Sequence, residues 1–165
     1  LVRKAHSKDI EEILKIVDIA ISDMHSYNNF QWDENYPRGE DFKNDIYNGE
    51  LFVCDINNEI AGVACINIDE PEEYNTLAWS LKKPSMIVHR MAVNSKFRGC
   101  GIGLELMKFA EILSTEKGIN YMKIDTNSLN TKAQSLFKRC GYNFVGEVTF
   151  SGKEGTFYCY EKTLI

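Results

Sequence analysis

The chain has 165 residues, 44% of them hydrophobic and 26% charged, with three prolines, eleven glycines and a net charge of -5. That composition excludes fibrous and disordered classes, and a chain of this length buries roughly two thirds of its unfolded surface, so a core forms without disulfide or metal staples. No apolar run approaches the ~20 residues of a membrane span, the longest being Ile60 to Ile66 with Gly62 inside it, and no dense basic stripe with interleaved aromatics offers a nucleic-acid surface.

In chain order, Val2 to Ala5 reads as a short strand. Ser7 or Asp9 then caps a helix whose apolar positions Ile10, Ile13, Leu14, Val17 and Ala20 recur at helical spacing, to about Asp23. His25 to Pro37 is polar and aromatic without a period and is expected to be an ordered loop. Glu40 to Tyr47 is a second helix, stopped by Asn48-Gly49. Leu51 to Asp55 and Ile60 to Ile68 form a hairpin about Asn57-Asn58. A polar stretch with Pro71 and Pro84 precedes a strand at Met86 to Val93, which runs into a glycine cluster that opens a helix with the face Ile102, Leu106, Ala110 and Leu113. Tyr121 to Thr126 is a strand, Thr131 to Cys140 a helix capped by Asn130, and Tyr142 to Phe150 with Thr156 to Leu164 a terminal hairpin about Ser151-Gly152-Lys153. The order is β-α-α-β-β-β-α-β-α-β-β, an α/β chain without repeat or linker, expected to form one domain over 1–165.

Five cysteines, at 54, 65, 100, 140 and 159, lack zinc spacing and a C-x-x-C pair, and are expected to be reduced thiols of the core. The opening Leu1-Val2-Arg3-Lys4-Ala5 is not the apolar core of a secretory signal, so a cytoplasmic address is expected. Charge is uneven along the chain: residues 33–73 carry twelve acids against two bases, and residues 94–140 eight bases against four acids. Two solvated surfaces of unlike sign account for this, as does a half that meets an anion beside a half that meets a cation.

The chemistry concentrates in Val88 to Gly103. Glycines at 99, 101 and 103 let the backbone turn tightly at the start of a helix, where unpaired amides and the positive dipole end form an anion site. No lysine follows Gly103, which excludes a nucleotide-hydrolysing P-loop. Asp125 lies where a dinucleotide fold would place its ribose acid, but the third glycine of that fingerprint is Leu104 and antiparallel strands precede the turn.

Arg98-x-x-Gly101-x-Gly103 after a strand ending Met91-Ala92-Val93 resembles the acetyl-CoA signature of the GCN5-related N-acetyltransferases (GNAT). Asn130-x-x-Ala133-x-x-Leu136-Phe137-x-x-Cys140-Gly141-Tyr142 resembles the same superfamily's second signature, and the element order fits over essentially the whole chain. The resemblance implies a mixed, mostly antiparallel sheet flanked by helices, with two splayed parallel strands, 86 to 93 and 121 to 126, forming a wedge for the cofactor arm. It also implies acetyl-CoA as cosubstrate, with no metal. The loop Arg98, Gly99, Cys100, Gly101, Ile102 and Gly103 would hold the pyrophosphate. Met91, Ala92 and Val93 would lie along the pantetheine arm with Asn130 and Phe137, and Asn130 is equally a plain helix cap.

For transfer to an amine, His89 is the candidate proton acceptor at a near-neutral pKa, against a structural role, and the backbone amide of Met91 is the implied oxyanion donor. Many of these enzymes carry a tyrosine as general acid where this chain has Phe137, which gives no proton. Tyr142, Tyr158, Tyr160 and Cys140 are substitutes or packing residues. Trp32, Asp33, Glu34 and Tyr36 fall in the loop that covers the acceptor site in this superfamily, where they form a hydrophobic cluster or select a cationic amine. The resulting expectation is an N-acetyltransferase acting on a primary amine of a small molecule or peptide. A non-catalytic acyl-CoA-binding module and a protein N-terminal acetyltransferase are the alternatives. Acceptor identity, acyl preference and oligomeric state, a homodimer included, are left open.

Overall fold

In a computed structural model that describes residues 1–165, every helix and strand falls in the expected order. These are β1 (Val2–Lys4), α1 (Ile10–His25), α2 (Gly39–Tyr47), β2 (Leu51–Ile56), β3 (Glu59–Asn67), β4 (Met86–Val93), α3 (Ile102–Glu116), β5 (Tyr121–Asn127), α4 (Thr131–Arg139), β6 (Asn143–Val148) and β7 (Phe157–Thr163). Short 3-10 turns at Ser7–Asp9, Glu72–Thr76 and Ser95–Phe97 add to them. The strands form one seven-stranded sheet in the order β1-β2-β3-β4-β5-β7-β6, antiparallel except for β4 and β5. The β2–β3 turn is made by Asn57 and Asn58 at φ of 53° and 66°, the left-handed conformation that a two-residue hairpin demands and asparagine tolerates.

Each face of the sheet is covered by helices whose apolar stripes match it. Ile13, Ile16 and Val17 of α1 and Phe42 of α2 pack with Leu51, Val53, Val63 and Cys65 on one side. Ile102, Leu106, Met107 and Ala110 of α3 and Phe137 of α4 pack with Phe52, Ala64, Val88 and Ile124 on the other. Full burial of a side chain such as Ile13 contributes roughly 2 kcal/mol. No helix is long and apolar enough to cross a membrane.

Three expectations need correction. The terminal hairpin's strands are shorter than expected: residues 149–156 join β6 to β7, with Gly152 and Gly155 at φ of 79° and 78°, and the loop reaches across to the α1–α2 loop, where Lys153 Nζ donates to the Gln31 carbonyl at 3.1 Å. Cys54, Cys65 and Cys159 are buried free thiols, but Cys100 is exposed in the turn before α3 and Cys140 is half-buried at the end of α4. The acidic segment spends much of its charge internally, pairing Asp55 with Arg3, Asp45 with Arg90, Glu59 with Lys96 and Glu70 with Lys123.

The feature that positions the site is the divergence of β4 from β5. Their pairing consists of Met86↔Met122 and Ile87↔Lys123 and then stops. On its other side β4 carries a bulge: Cys65↔His89 and Val63↔Ala92 leave three steps on β4 against two on β3. Arg90 occupies it at φ of 43°, a conformation a non-glycine residue adopts only when its surroundings hold it. The guanidinium supplies that hold, with Nε at 2.8 Å and Nη2 at 2.5 Å from the two carboxylate oxygens of the buried Asp45, and Nη1 donating to Tyr36 Oη at 2.9 Å.

Candidate functional site

The turn before α3 is a cradle of backbone donors. Gly99 and Gly101 have φ of 80° and 77°, so the chain folds back on itself and directs its amides outward. Cys100 N donates to the Phe97 carbonyl and Glu105 N to that of Gly101, but the amides of Gly99, Gly101, Ile102, Gly103 and Leu104 meet no acceptor within the protein. Five free donors at a helix N-terminus fit a diphosphate. Gly103 has a different reason to be bare: a Cβ there would sit 2.9 Å from Leu136 Cδ2, so the glycine lets α4 pack closely on α3. The Arg98 side chain pairs with Asp23 of α1 at 2.5 Å, bracing the turn.

The wedge between β4 and β5 opens into a cavity of about 320 Å³. Val88, His89, Arg90 and Met91 line it from β4, Ile124, Asp125 and Thr126 from β5, and Asn130, Ala133 and Phe137 from α4. Ala133 and Phe137 thus face the cavity, while Leu136 meets the glycine of the cradle. Asn130 caps α4, its Oδ1 accepting from Ala133 N at 3.1 Å, and borders the cavity as well. Ala92 and Val93 do not line the cavity; Ala92 is buried against the α1 side of the sheet and Val93 packs on the α3 side.

His89 lines the cavity, but not with the near-neutral pKa expected of it. Burial, with the Arg90 charge beside it, pushes its pKa down to about 4. Asn67 donates through Nδ2 to Glu50 at 3.0 Å and accepts the Asp69 amide on Oδ1, so its Oδ1 faces His89 Nε2 at 2.8 Å and fixes the proton on that nitrogen. The ring is a neutral donor near pH 7.

The sequence reading weighed Asp125 only as a ribose ligand, yet it is the one carboxylate lining the cavity. Tyr74, fully buried in the 3-10 turn of the polar stretch, donates its hydroxyl to Asp125 Oδ2, and Oδ1 is without a hydrogen bond. Burial raises the carboxyl's pKa above its ordinary value, opposed by the tyrosine's hydrogen bond and by the charge of Lys153. The available signal was a single acid inside the apolar strand Tyr-Met-Lys-Ile-Asp, facing the wedge.

Of the loop residues, Trp32 and Tyr36 line the cavity; Asp33 and Glu34 do not. Asp33 Oδ1 accepts the amides of Asn35 and Tyr36 at 2.7 and 3.1 Å, closing its own turn, and Glu34 is exposed. The loop is fixed by His25 Nε2 against the Trp32 carbonyl at 3.0 Å and by Gln31 Oε1, which accepts Asn127 N at 3.1 Å. Phe137 packs edge-on against Tyr160 at 5.4 Å between centroids. Tyr142 donates to Glu111 at 3.2 Å, and neither it nor Tyr158, Tyr160 or Cys140 lines the cavity. Asp45, Glu50 and Cys65 place ligand atoms within 4.8 Å of one another, but the Arg90 guanidinium already occupies Asp45, and Asn67 binds Glu50.

The Acetyltransferase (GNAT) family model matches residues 19–142. The chain is 27% identical over 113 residues to YesJ of Bacillus subtilis (strain 168), an uncharacterized N-acetyltransferase, covering 64% of this chain and 59% of that protein. The match thus spans less than two thirds of that relative. Among solved structures, an acetyltransferase of the GNAT family from Streptococcus agalactiae 2603 superposes with a TM-score of 0.87 at 24% identity, covering 100% of this chain and 95% of that one. The acetyltransferase yncA from Salmonella typhimurium, determined with its cofactor acetyl-CoA, superposes with a TM-score of 0.69 at 16% identity, covering 100% of this chain and 94% of that one. With the family model covering most of the chain and the splayed strand pair beside the glycine turn, the protein belongs to the GNAT acetyltransferase family.

Proposed function

We propose that the protein is an acetyl-CoA-dependent N-acetyltransferase that moves the acetyl group directly to a primary amine of a small molecule or peptide. The observation that carries this reading is a backbone anion cradle at Gly99 to Leu104 together with a lined cavity where β4 and β5 diverge, with α4 touching both through Leu136 against Gly103 and through Ala133 and Phe137 in the cavity wall. The cradle amides would hold the pyrophosphate of CoA, and β4 beyond Val88, with Asn130 and Phe137, would border its pantetheine arm. Bound acetyl-CoA supplies an activated acyl thioester whose leaving thiolate has a pKa of about 8.5.

The remaining steps fall to the chain. Asp125, with Oδ1 free and Tyr74 holding Oδ2, is positioned to attract the acceptor's ammonium group and take its proton. His89, a neutral donor locked to Asn67, orients rather than titrates. The Met91 amide is the oxyanion donor of this reading, at the point where the β4 bulge turns the strand toward the cavity. A thiolate leaves without an acid, so Phe137 is compatible with turnover. The cavity's size and its Trp32, Tyr36, Phe150 and Phe157 walls favour a small acceptor over an extended peptide.

Calorimetry with acetyl-CoA, followed by a thiol-release screen over polyamines, aminoglycosides, amino acids and short peptides, tests the proposal. Micromolar binding with amine-dependent release is expected. Binding without release from any amine would favour the acyl-CoA-binding module that Phe137 suggests, and absence of binding would overturn both.

A further inference from the structure

Three charged side chains from distant segments meet the acceptor end of the cavity: Arg90, Asp125 and Lys153. They differ in what already satisfies them. Arg90 is bound on both forks by Asp45 and by the Tyr36 hydroxyl. Asp125 has Tyr74 on one oxygen and nothing on the other. Lys153, half-buried, forms no ion pair; its single hydrogen bond goes to the neutral Gln31 carbonyl at 3.1 Å, and its ammonium lies 4.4 Å from the Tyr36 ring centroid. An ammonium carries three donors, and removing it from water without an anion is costly. Burial indeed lowers its pKa, and the charges of Asp125 and Asp33 only offset this from beyond ion-pair distance.

The cavity therefore presents one unpaired cation and one half-paired anion, close enough to feel each other but not joined, amid Met24, Trp32, Phe150 and Phe157. We propose that the acceptor is a zwitterion, an amino acid with an apolar side chain, whose carboxylate binds Lys153 while its amine faces Asp125. This rests on the acetyl transfer proposed above and names the acceptor class for it. It also reverses the sign read from the loop sequence: the recognition charge is Lys153, from the β6–β7 loop, and Asp33 and Glu34 do not supply it.

The test uses acceptors that differ at the carboxylate: phenylalanine, phenylalaninamide and phenethylamine, with leucine, leucinamide and 3-methylbutylamine as a second series, in the thiol-release assay at pH 8, with kcat/KM referred to the free-base amine because amidation lowers the α-amine's pKa. One charge-assisted hydrogen bond gives a preference of about 10- to 100-fold in kcat/KM for the acid over its amide in at least one series. In Lys153→Met that ratio is expected to fall to about 3-fold or less, chiefly through KM for the acid, and Lys153→Arg is expected to recover most of it. Calorimetric affinity for acetyl-CoA in both variants establishes that each is folded. Amides or simple amines that match the acids in the unaltered protein, or an acid preference that survives Lys153→Met, would overturn the zwitterion while leaving amine acetylation standing. Absence of release with every amine would remove the acetylation reading and this one with it.

Discussion

The two ends of the cleft are built from different material. The α3 end offers main chain: amides freed by two left-handed glycines and a helix start, all from residues 99 to 104. The cavity is lined by side chains gathered from the α1–α2 loop, β4, β5, α4 and the β6–β7 loop, with Tyr74 of the 3-10 turn behind Asp125. A backbone site tolerates changes in side chain so long as the chain can take the same turn, and on the proposed reading it would serve the pyrophosphate that all CoA thioesters share. A side-chain site depends on tertiary contacts such as Arg90 with Asp45 and Gln31 with Lys153, and is free to change with the acceptor.

The largest effect expected is at the acceptor end. Asp125→Asn is isosteric and keeps an oxygen for Tyr74, but it cannot take a proton, so kcat should fall by the ~10² to 10⁴ of a lost general base. Acetyl-CoA affinity should stay the same by calorimetry, because Asp125 is not among the cradle amides. A kcat within a few-fold of the unaltered protein would return the proton transfer to water. Asp45→Ala probes the scaffold beneath that end. It strands the Arg90 cation at the bulge and frees Tyr36 from its anchor, and breaking a buried pair of this kind costs about 3–5 kcal/mol. Urea unfolding measures it, and a loss below about 1 kcal/mol would mean that the bulge is held by β3 alone.

Gly101→Val probes the other end. Nothing lies within 4 Å of a Cβ built at Gly101, so the substitution collides with no protein atom. Its cost is conformational, because φ of 77° is strained for a β-branched residue, by roughly 1–2 kcal/mol, and relief of that strain would turn the amides away. Acetyl-CoA binding should weaken by about 5- to 30-fold, the affinity equivalent of that strain, while the core stays folded. Near-normal affinity in a folded variant would remove the cradle as the cofactor site. Gly103→Ala should cost less in binding, since its Cβ meets only Leu136, the end of a flexible side chain.

What was legible follows the same division. Apolar periodicity, Asn57-Asn58 and the glycines mark local geometry, and the elements they predict agree with the fold to within a few residues. The turn before α3 is where the glycines put it, but its unbonded amides are those of Gly99 and 101–104, since Arg98 N and Cys100 N bond within the turn. Tyr74 was not legible, because it lies in a polar stretch without a period and its partner Asp125 is 51 residues away. Lys153 lay in a hairpin turn that gives no hint of a partner, and only the tertiary fold brings the β6–β7 loop to Gln31. Asp33 misled for the opposite reason. An acid beside aromatics suggests a ligand, but a carboxylate two residues before an amide in a turn closes that turn first. Trp32 and Tyr36 line the cavity because the loop is pinned from β5 and from Arg90, contacts that no local pattern carries.

The smallest effect expected concerns His89, which sits on β4 and lines the cavity. Its pKa is lowered from 6.5 to about 4 in the folded protein, by burial first and by Arg90 second. Between those values the unfolded chain binds a proton that the folded one refuses, so stability rises with pH across that window. The contribution is complete above pH 6.5 and is lost as pH falls towards 4. From pH 7 to pH 5 the loss is at most about 2 kcal/mol, at 1.36 kcal/mol per unit. His89→Gln removes the titrating group while its side-chain amide can still donate to Asn67. Urea unfolding of the two proteins at pH 7 and pH 5 should show a smaller acid loss in the variant, with similar stability at pH 7. The same substitution separates orientation from base catalysis. If His89 only orients, the variant keeps the pH–rate profile of the unaltered protein; a profile that loses its acid limb would restore His89 as the base in place of Asp125.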